Sequence, residues 1–252
     1  MSPVEVGVLF GVSFAAGIVN SIAGGGTLIT FPALLWLGRD PIVANATNTV
    51  SLWPGSLAAL LGLRHELRGL GWWMGVLTVP SLVGGLVGAI LLLQTPSRVF
   101  ASLVPWLILF ATVLFALQAP IARLTRRTEA EPRREWWPSA VVFQFGVALY
   151  GGYFGAGIGI MTLAGLGLIG FADIHQMIGL RNFYAIWING IAAAYFVAKG
   201  AVRWPDALVL TAGQVVGSYG GASLARRLGQ KAIRRFVVAV GVAMALSLLL
   251  SS

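Results

Sequence analysis

Glycines at Ala23-Gly-Gly-Gly-Thr27 break an apolar run of helix length, and Gly151-Gly-Tyr-Phe-Gly-Ala-Gly-Ile-Gly159 breaks another about half a chain later. In lipid such breaks free backbone N–H and C=O groups that hydrocarbon cannot satisfy, so the broken backbone must be buried in protein or line a wet cavity. A helix restarting at Thr27 presents unpaired N–H groups and its positive dipole end toward the break, and Ile158 to Thr162 do the same in the second half. Two such ends brought together suit an anion. The expected backbone donors are Gly24, Gly25, Gly26 and Thr27 from the first break and Gly155, Gly157 and Gly159 from the second. The competing role for glycine in lipid is close helix approach. That role is expected of Gly84, Gly85, Gly88, Gly217, Gly220 and Gly221, whereas polar residues cluster beside the two breaks. A dinucleotide or P-loop role is excluded, since no strand precedes these glycines and no Gly-Lys-Ser/Thr follows them.

Those polar neighbours are Asn45, Thr47, Asn48, Thr49 and Ser51 in one half and Arg181, Asn182, Tyr184 and Asn189 in the other. Intramembrane polar residues are functional candidates, and their bland alternative is to tie helices together. Asn48 and Asn182 are expected to donate amide N–H bonds to a substrate oxygen. Arg181 lies about two turns into an apolar helix, and its planar guanidinium is a permanent cation suited to an oxyanion. Its competing role is snorkelling to the nearer membrane face. Trp53 and Trp187 are placed to wall such a site, although helix packing is the commoner use of Trp.

Other chemistries lack their residues. Glu5, Asp40, Glu66, Asp173 and Asp206 all fall near segment ends, which argues against a carboxylate proton relay. His175 begins a segment and is expected to be structural. No Ser-His, Asp-Asp or metal constellation is visible, so the chain is not expected to be an enzyme. With no Cys and two His far apart, neither a metal nor another cofactor is expected.

The elements that must position these residues follow from composition. The chain of 252 residues is 58% hydrophobic and 10% charged, with mean hydropathy +0.86. It is too apolar for a soluble domain, and runs of membrane-spanning length recur throughout, so the first is not expected to be a cleaved signal. The net charge of +9 sits in short connections between apolar runs, where it sets membrane orientation; no nucleic-acid partner is expected. Apolar segments are predicted near 3–23, 27–38, 41–63, 71–93 and 98–119, then near 138–154, 158–170, 174–198, 206–228 and 232–250.

The order repeats. Asn48 and Trp53 precede Asn182 and Trp187 by 134 positions, as Gly25 precedes Gly159, and Val83-Gly84 precedes Val216-Gly217 by 133. The predicted fold is an all-α polytopic membrane protein of two homologous repeats, 1–122 and 138–252, joined by a polar linker at 123–137. Each repeat starts with a glycine-broken helix pair followed by three transmembrane helices. If each broken pair crossed the membrane once, Lys and Arg outside the spans would divide nine against seven between the two sides. If each pair is a hairpin that enters and returns, the division becomes twelve against four. The positive-inside rule therefore favours hairpins, inverted repeats, a cytoplasmic linker and both termini outside.

The chain resembles the TauE/SafE family of sulfite and organosulfonate exporters over essentially its full length. The resemblance rests on Ala23-Gly-Gly-Gly-Thr27 through Phe31-Pro32, Asn45-Ala-Thr-Asn-Thr49, the Gly151–Gly159 break, and His175-Gln176 with Leu180-Arg-Asn182. The family often has Lys where Arg181 stands, and the first break here is a shorter glycine run. The resemblance implies a multi-pass secondary transporter in the bacterial cytoplasmic (inner) membrane that carries small sulfur oxyanions or sulfonates. The residues themselves imply only an anion. Alternating access at the glycine breaks is the expected mechanism, with a passive anion channel, or a carrier importing a different small anion, as alternatives. An anion leaving a negative-inside cell gains about 2.3 kcal/mol per charge per 100 mV, so export could run without a proton partner. The expected partners are the small anion and membrane lipid; a homo-oligomer is compatible with the sequence and not required by it.

Overall fold

The computed structural model describes residues 1–23, 25–124, 134–228 and 230–251. Gly24 and most of the polar linker, 125–133, lie outside the described residues. Ten α-helices follow in order: α1 (Pro3–Ala23), α2 (Thr27–Trp36), α3 (Pro41–Leu63), α4 (Gly71–Gln94), α5 (Ser97–Leu124), α6 (Trp137–Tyr153), α7 (Ile158–Ile169), α8 (Ile174–Ala198), α9 (Trp204–Leu228) and α10 (Gln230–Ser251). No strand occurs among the described residues. The predicted segments agree within about two residues at most ends. The main difference is α5, which runs on to Leu124 because a helix does not have to stop where its apolar stretch stops.

Local chemistry explains several boundaries. Asp40 caps α3, accepting from the N–H of Ile42 at 2.9 Å and of Val43 at 3.2 Å. Asp173 caps α8 through the N–H of His175 at 2.8 Å and of Gln176 at 3.4 Å. Both aspartates satisfy amides that the first helical turn leaves unpaired. Gly170 ends α7 with φ +110°, a left-handed conformation that side chains resist.

The helix pairs α1–α2 and α6–α7 are hairpins. Arg39, just after α2, reaches back to Glu5 at the start of α1 (3.0 Å), so α2 returns to the end from which α1 set out. In the other pair, Phe143 of α6 packs on Gly165 of α7. Each hairpin then lies along a helix from the other half of the chain. Gly17 of α1 sits against Gln214 and Ser218, and Gly213 and Gly217 of α9 sit against Ser13 and Phe14. A methyl group at Gly217 would collide with the Phe14 carbonyl, so only glycine lets the backbones approach this closely. In the same way Gly84, Gly85 and Gly88 of α4 fit against α6 and α8, with Gly88 on Leu149 and Tyr153 and Gly85 on Ile188. Partner numbers rise together in both hairpin contacts, so α1 runs parallel to α9 and α4 to α6. Gln144 Nε2 adds a buried hydrogen bond to Ser81 Oγ at 2.9 Å. At the centre α3 crosses α8, where Trp53 Nε1 donates to the Ile186 carbonyl at 3.1 Å.

The contacts sort helix termini into two ends. At one end lie Glu5, Arg39 and Asp206, with the N–H of Arg203 donating to Thr47 Oγ1 at 3.0 Å. At the other, the short 3-10 helix Arg64–Leu67 packs on Gly179 of α8, and the Arg134 guanidinium stacks 5.2 Å from the centre of Trp72. The interior is unusually polar and the outside apolar. Asn45, Asn48, Gln144 and Gln214 are buried, while Val79, Val142, Leu168, Leu208 and Leu250 are 63–88% exposed. Lipid, not water, suits that outer face. Among the described residues, Pro3–Asn20, Gly71–Gln94 and Ser97–Leu117 are long and apolar enough to cross a membrane.

Candidate anion site at the helix breaks

Gly26 is the residue before α2, and its carbonyl accepts from the N–H of Ile29 at 3.0 Å and of Thr30 at 3.1 Å. Leu28 N–H turns back to the Gly25 carbonyl at 3.1 Å, which leaves Thr27 N–H without a backbone partner among the described residues. In the second hairpin the turn is tighter. Gly155 and Gly157 hold φ of +83° and +87°, a region glycine enters without steric cost. The first backbone bonds of α7 run from Ile160 and Met161 to the Gly157 carbonyl, at 3.0 and 3.2 Å. The N–H groups of Ile158 and Gly159 therefore have no backbone partner among the described residues, as at any helix start.

The two restart points, Thr27 and Ile158, are 131 residues apart. Gly26 and Gly157 thus hold equivalent places, and Gly159 falls inside the first turn of α7, not opposite Gly25 as the spacing of 134 suggested. Both breaks reach the same part of α5. Gly25 lies against the Phe115 ring, and Gly157 against Leu114 and Ala111. Phe31 of α2 meets Phe154 of the second break edge to face at 5.4 Å between ring centres.

The side chains divide into two groups. On the first hairpin, the Thr30 hydroxyl lies between Asn48 Oδ1 and the Gly26 carbonyl, which fixes the Asn48 amide beside Gly26. With Oδ1 so engaged, the Asn48 NH₂ has no partner among the described residues. On the second hairpin, the Arg181 guanidinium lies flat against Gly159, where an added Cβ would stand 2.9 Å from Cζ and 3.0 Å from Nη2. Arg181 is half-buried and has neither a hydrogen-bond nor an ion-pair partner among the described residues. Asn182 follows it, likewise unpaired. A lone cation beside the positive end of a helix is electrostatically unfavourable until an anion arrives.

The structure gives other candidates tying roles. Tyr184 donates its hydroxyl to the Trp73 carbonyl at 2.9 Å, and Asn45 Nδ2 donates to the Tyr153 carbonyl at 2.9 Å. Thr49 and Ser51 bond back to their own helix. Trp53 packs across α8, whereas Trp187 is 40% exposed and meets Phe183 edge to face. Two residues acquire importance that composition did not give them. Thr30 looks like an ordinary helix residue until Asn48 is seen beside it. Asp206, near a helix end in sequence, is fully buried and shared by Arg39 at 2.8 Å and Arg203 at 3.2 Å. Burial works against the Arg39 charge, but Asp206 and Glu5 outweigh it and raise its pKa. Among the described residues no three His, Cys, Asp or Glu side chains gather as a metal site.

Comparison with known proteins adds a family to this geometry. The family profile described as "Sulfite exporter TauE/SafE" matches residues 9–248. A "Probable membrane transporter protein YfcA" of Escherichia coli (strain K12) is 31% identical over 254 residues, covering 100% of this chain and 92% of the relative. A "Probable membrane transporter protein" of Haemophilus influenzae is 31% identical over 240 residues, covering 92% of this chain and 89% of its own length. The "Probable membrane transporter protein ORF9" of Sinorhizobium sp is 29% identical over 255 residues, with 96% and 91% covered. No solved structure matches the chain. A chain that is matched from end to end, and that carries apolar helices around a polar, glycine-broken centre, belongs to the TauE/SafE sulfite exporter family and is a membrane transport protein.

Proposed function

We propose that the protein is a secondary transporter that moves a small anion, sulfite or an organosulfonate, across the bacterial cytoplasmic membrane by alternating access. The observation that carries this reading is the unpaired Arg181 guanidinium against the first turn of α7. The anion binds between the two hairpin tips, held by Arg181, the free N–H groups around Thr27 and Gly159, and the amides of Asn48 and Asn182. Gly25, Gly26, Gly155 and Gly157 shape the tips and keep side chains out of the site; Gly24 completes the first glycine run. No step of this cycle makes or breaks a covalent bond, so the protein acts as a carrier and not an enzyme.

The architecture proposed for this cycle is a pair of inverted repeats, 1–122 and 138–252, with 123–137 as a cytoplasmic linker. It draws support from the hairpins and from the paired contacts: α1 with α9 answers α6 with α4, while α3 with α8 and α5 with α10 lie across the same pseudo-two-fold. An odd number of crossings per repeat then places Arg39, Arg98, Lys199 and Arg203 outside and the other twelve basic residues apart from Arg181 inside. The two hairpins enter from opposite faces, the arrangement in which half-helix ends meet a substrate near the midplane.

The test is flux into liposomes holding the purified protein, with sulfite, sulfate, thiosulfate, taurine and sulfoacetate as substrates. At least one should show saturable transport and exchange. Arg181→Gln should lower it about 10- to 100-fold, the loss of a charge-assisted hydrogen bond, while the protein still inserts. Unaltered transport in that variant would remove the assignment, and unsaturable flux would replace the carrier with a channel.

A further inference from the structure

Among the polar residues of α8, Asn189 lies beside the turn of the second break. It lies past the middle of α8, half-buried, with Oδ1 4.0 Å from where a side chain at Gly155 would begin. Neither its oxygen nor its nitrogen has a hydrogen-bond partner among the described residues. An amide kept to tie helices would be bonded, as Asn45 is to Tyr153 and Gln144 to Ser81. An amide left unbonded at this depth is costly unless its face is wet. Asn182, also unpaired, precedes it by seven residues. That spacing is about 20° short of two full turns and roughly 10 Å along the axis, so both amides occupy one face of α8. At the position in the first half 134 residues earlier stands Gly55, with nothing within 4 Å of its missing side chain. The track exists on α8 alone.

We propose, resting on the anion-transport reading above, that Asn189 is a second substrate station, which an anion leaving Arg181 and Asn182 reaches next between α8 and the turn at Gly155. A neutral amide offers donors to an oxyanion without the charge of a guanidinium, so it passes the ion on where a second arginine would retain it. The positive φ of Gly155 matters here because it lets the chain turn with no side chain projecting onto the amide.

The chain has no cysteine, so Asn189→Cys supplies a single thiol without further change. In membrane vesicles this thiol should react with N-ethylmaleimide, and sulfoacetate or sulfate, whichever the wild type carries, should slow the reaction at least about threefold. Asn189→Leu should bind that anion within about threefold of wild type in purified form, yet carry it at least about tenfold more slowly. An inert thiol where Asn182→Cys reacts, a reactive thiol that neither anion protects, or wild-type flux in Asn189→Leu would each overturn the proposal. Wild-type protein that moves no anion of the panel sinks the transport reading and this station with it, and that result is separable because it is read on the unmutated chain.

Discussion

Gly159 and Arg181 form a unit in which the glycine matters for what it omits. Alanine suits a helix better than glycine, by up to about 1 kcal/mol in a helix interior and less in the first turn where Gly159 lies, so Gly159→Ala should leave the fold intact. The added methyl would occupy the place of the guanidinium, whose Cζ and Nη2 come within 3.0 Å of it. We expect transport to fall at least about tenfold while the thermal midpoint in detergent holds or rises; a variant that transports normally would show that Arg181 has no fixed seat. Arg181 stood out in the sequence as a charge two turns inside an apolar helix, with snorkelling as its competing role, and the structure places it against Gly159. Tyr184 stood beside it among the polar neighbours of the second break. Its partner, the Trp73 carbonyl, lies 111 positions away in the chain, and nothing local announces such a bond. The bond from Asn45 to the Tyr153 carbonyl is hidden for the same reason.

Among the elements, the hairpins were legible because the glycine runs marked breaks and the balance of basic residues favoured a return. The helix partners were not. A glycine shows that something comes close, but not that α1 would choose α9 or that α4 would choose α6. The hidden strength of the first hairpin's mouth was equally invisible, since Asp206 looks like an ordinary residue near a helix start. Its side chain is 1% exposed and bonded to Arg39, itself 11% exposed, so removing the carboxylate leaves a buried cation short of a partner. Asp206→Ala should therefore cost on the order of 3 kcal/mol. Glu5, the more exposed partner of Arg39, should cost under about 1 kcal/mol when changed to Gln. Thermal unfolding of the two purified variants checks the order, and a larger drop for Glu5→Gln would reverse our view of which pair holds the mouth closed.

For the whole molecule, the proposed three crossings per repeat require both termini to lie on the same face, opposite the linker. Alkaline phosphatase fused to the C-terminus should be active and a fluorescent protein there should be dark; a bright cytoplasmic fusion would overturn the inverted arrangement. The internal similarity of the halves suggested two repeats, and the balance of basic residues favoured their inversion, whereas the parallel pairing of helices between halves needed coordinates. That pairing bears on the order of synthesis. When α6 leaves the ribosome, α4 is already in the membrane and can receive it at once. The first hairpin meets the opposite situation: the helix whose glycines fit α1, α9, follows some 180 residues later. During that interval Ser13, Phe14 and Gly17 lack the α9 residues they pack against, although α3 and α5 already meet the break, so the first hairpin is expected to settle only once α9 has been made.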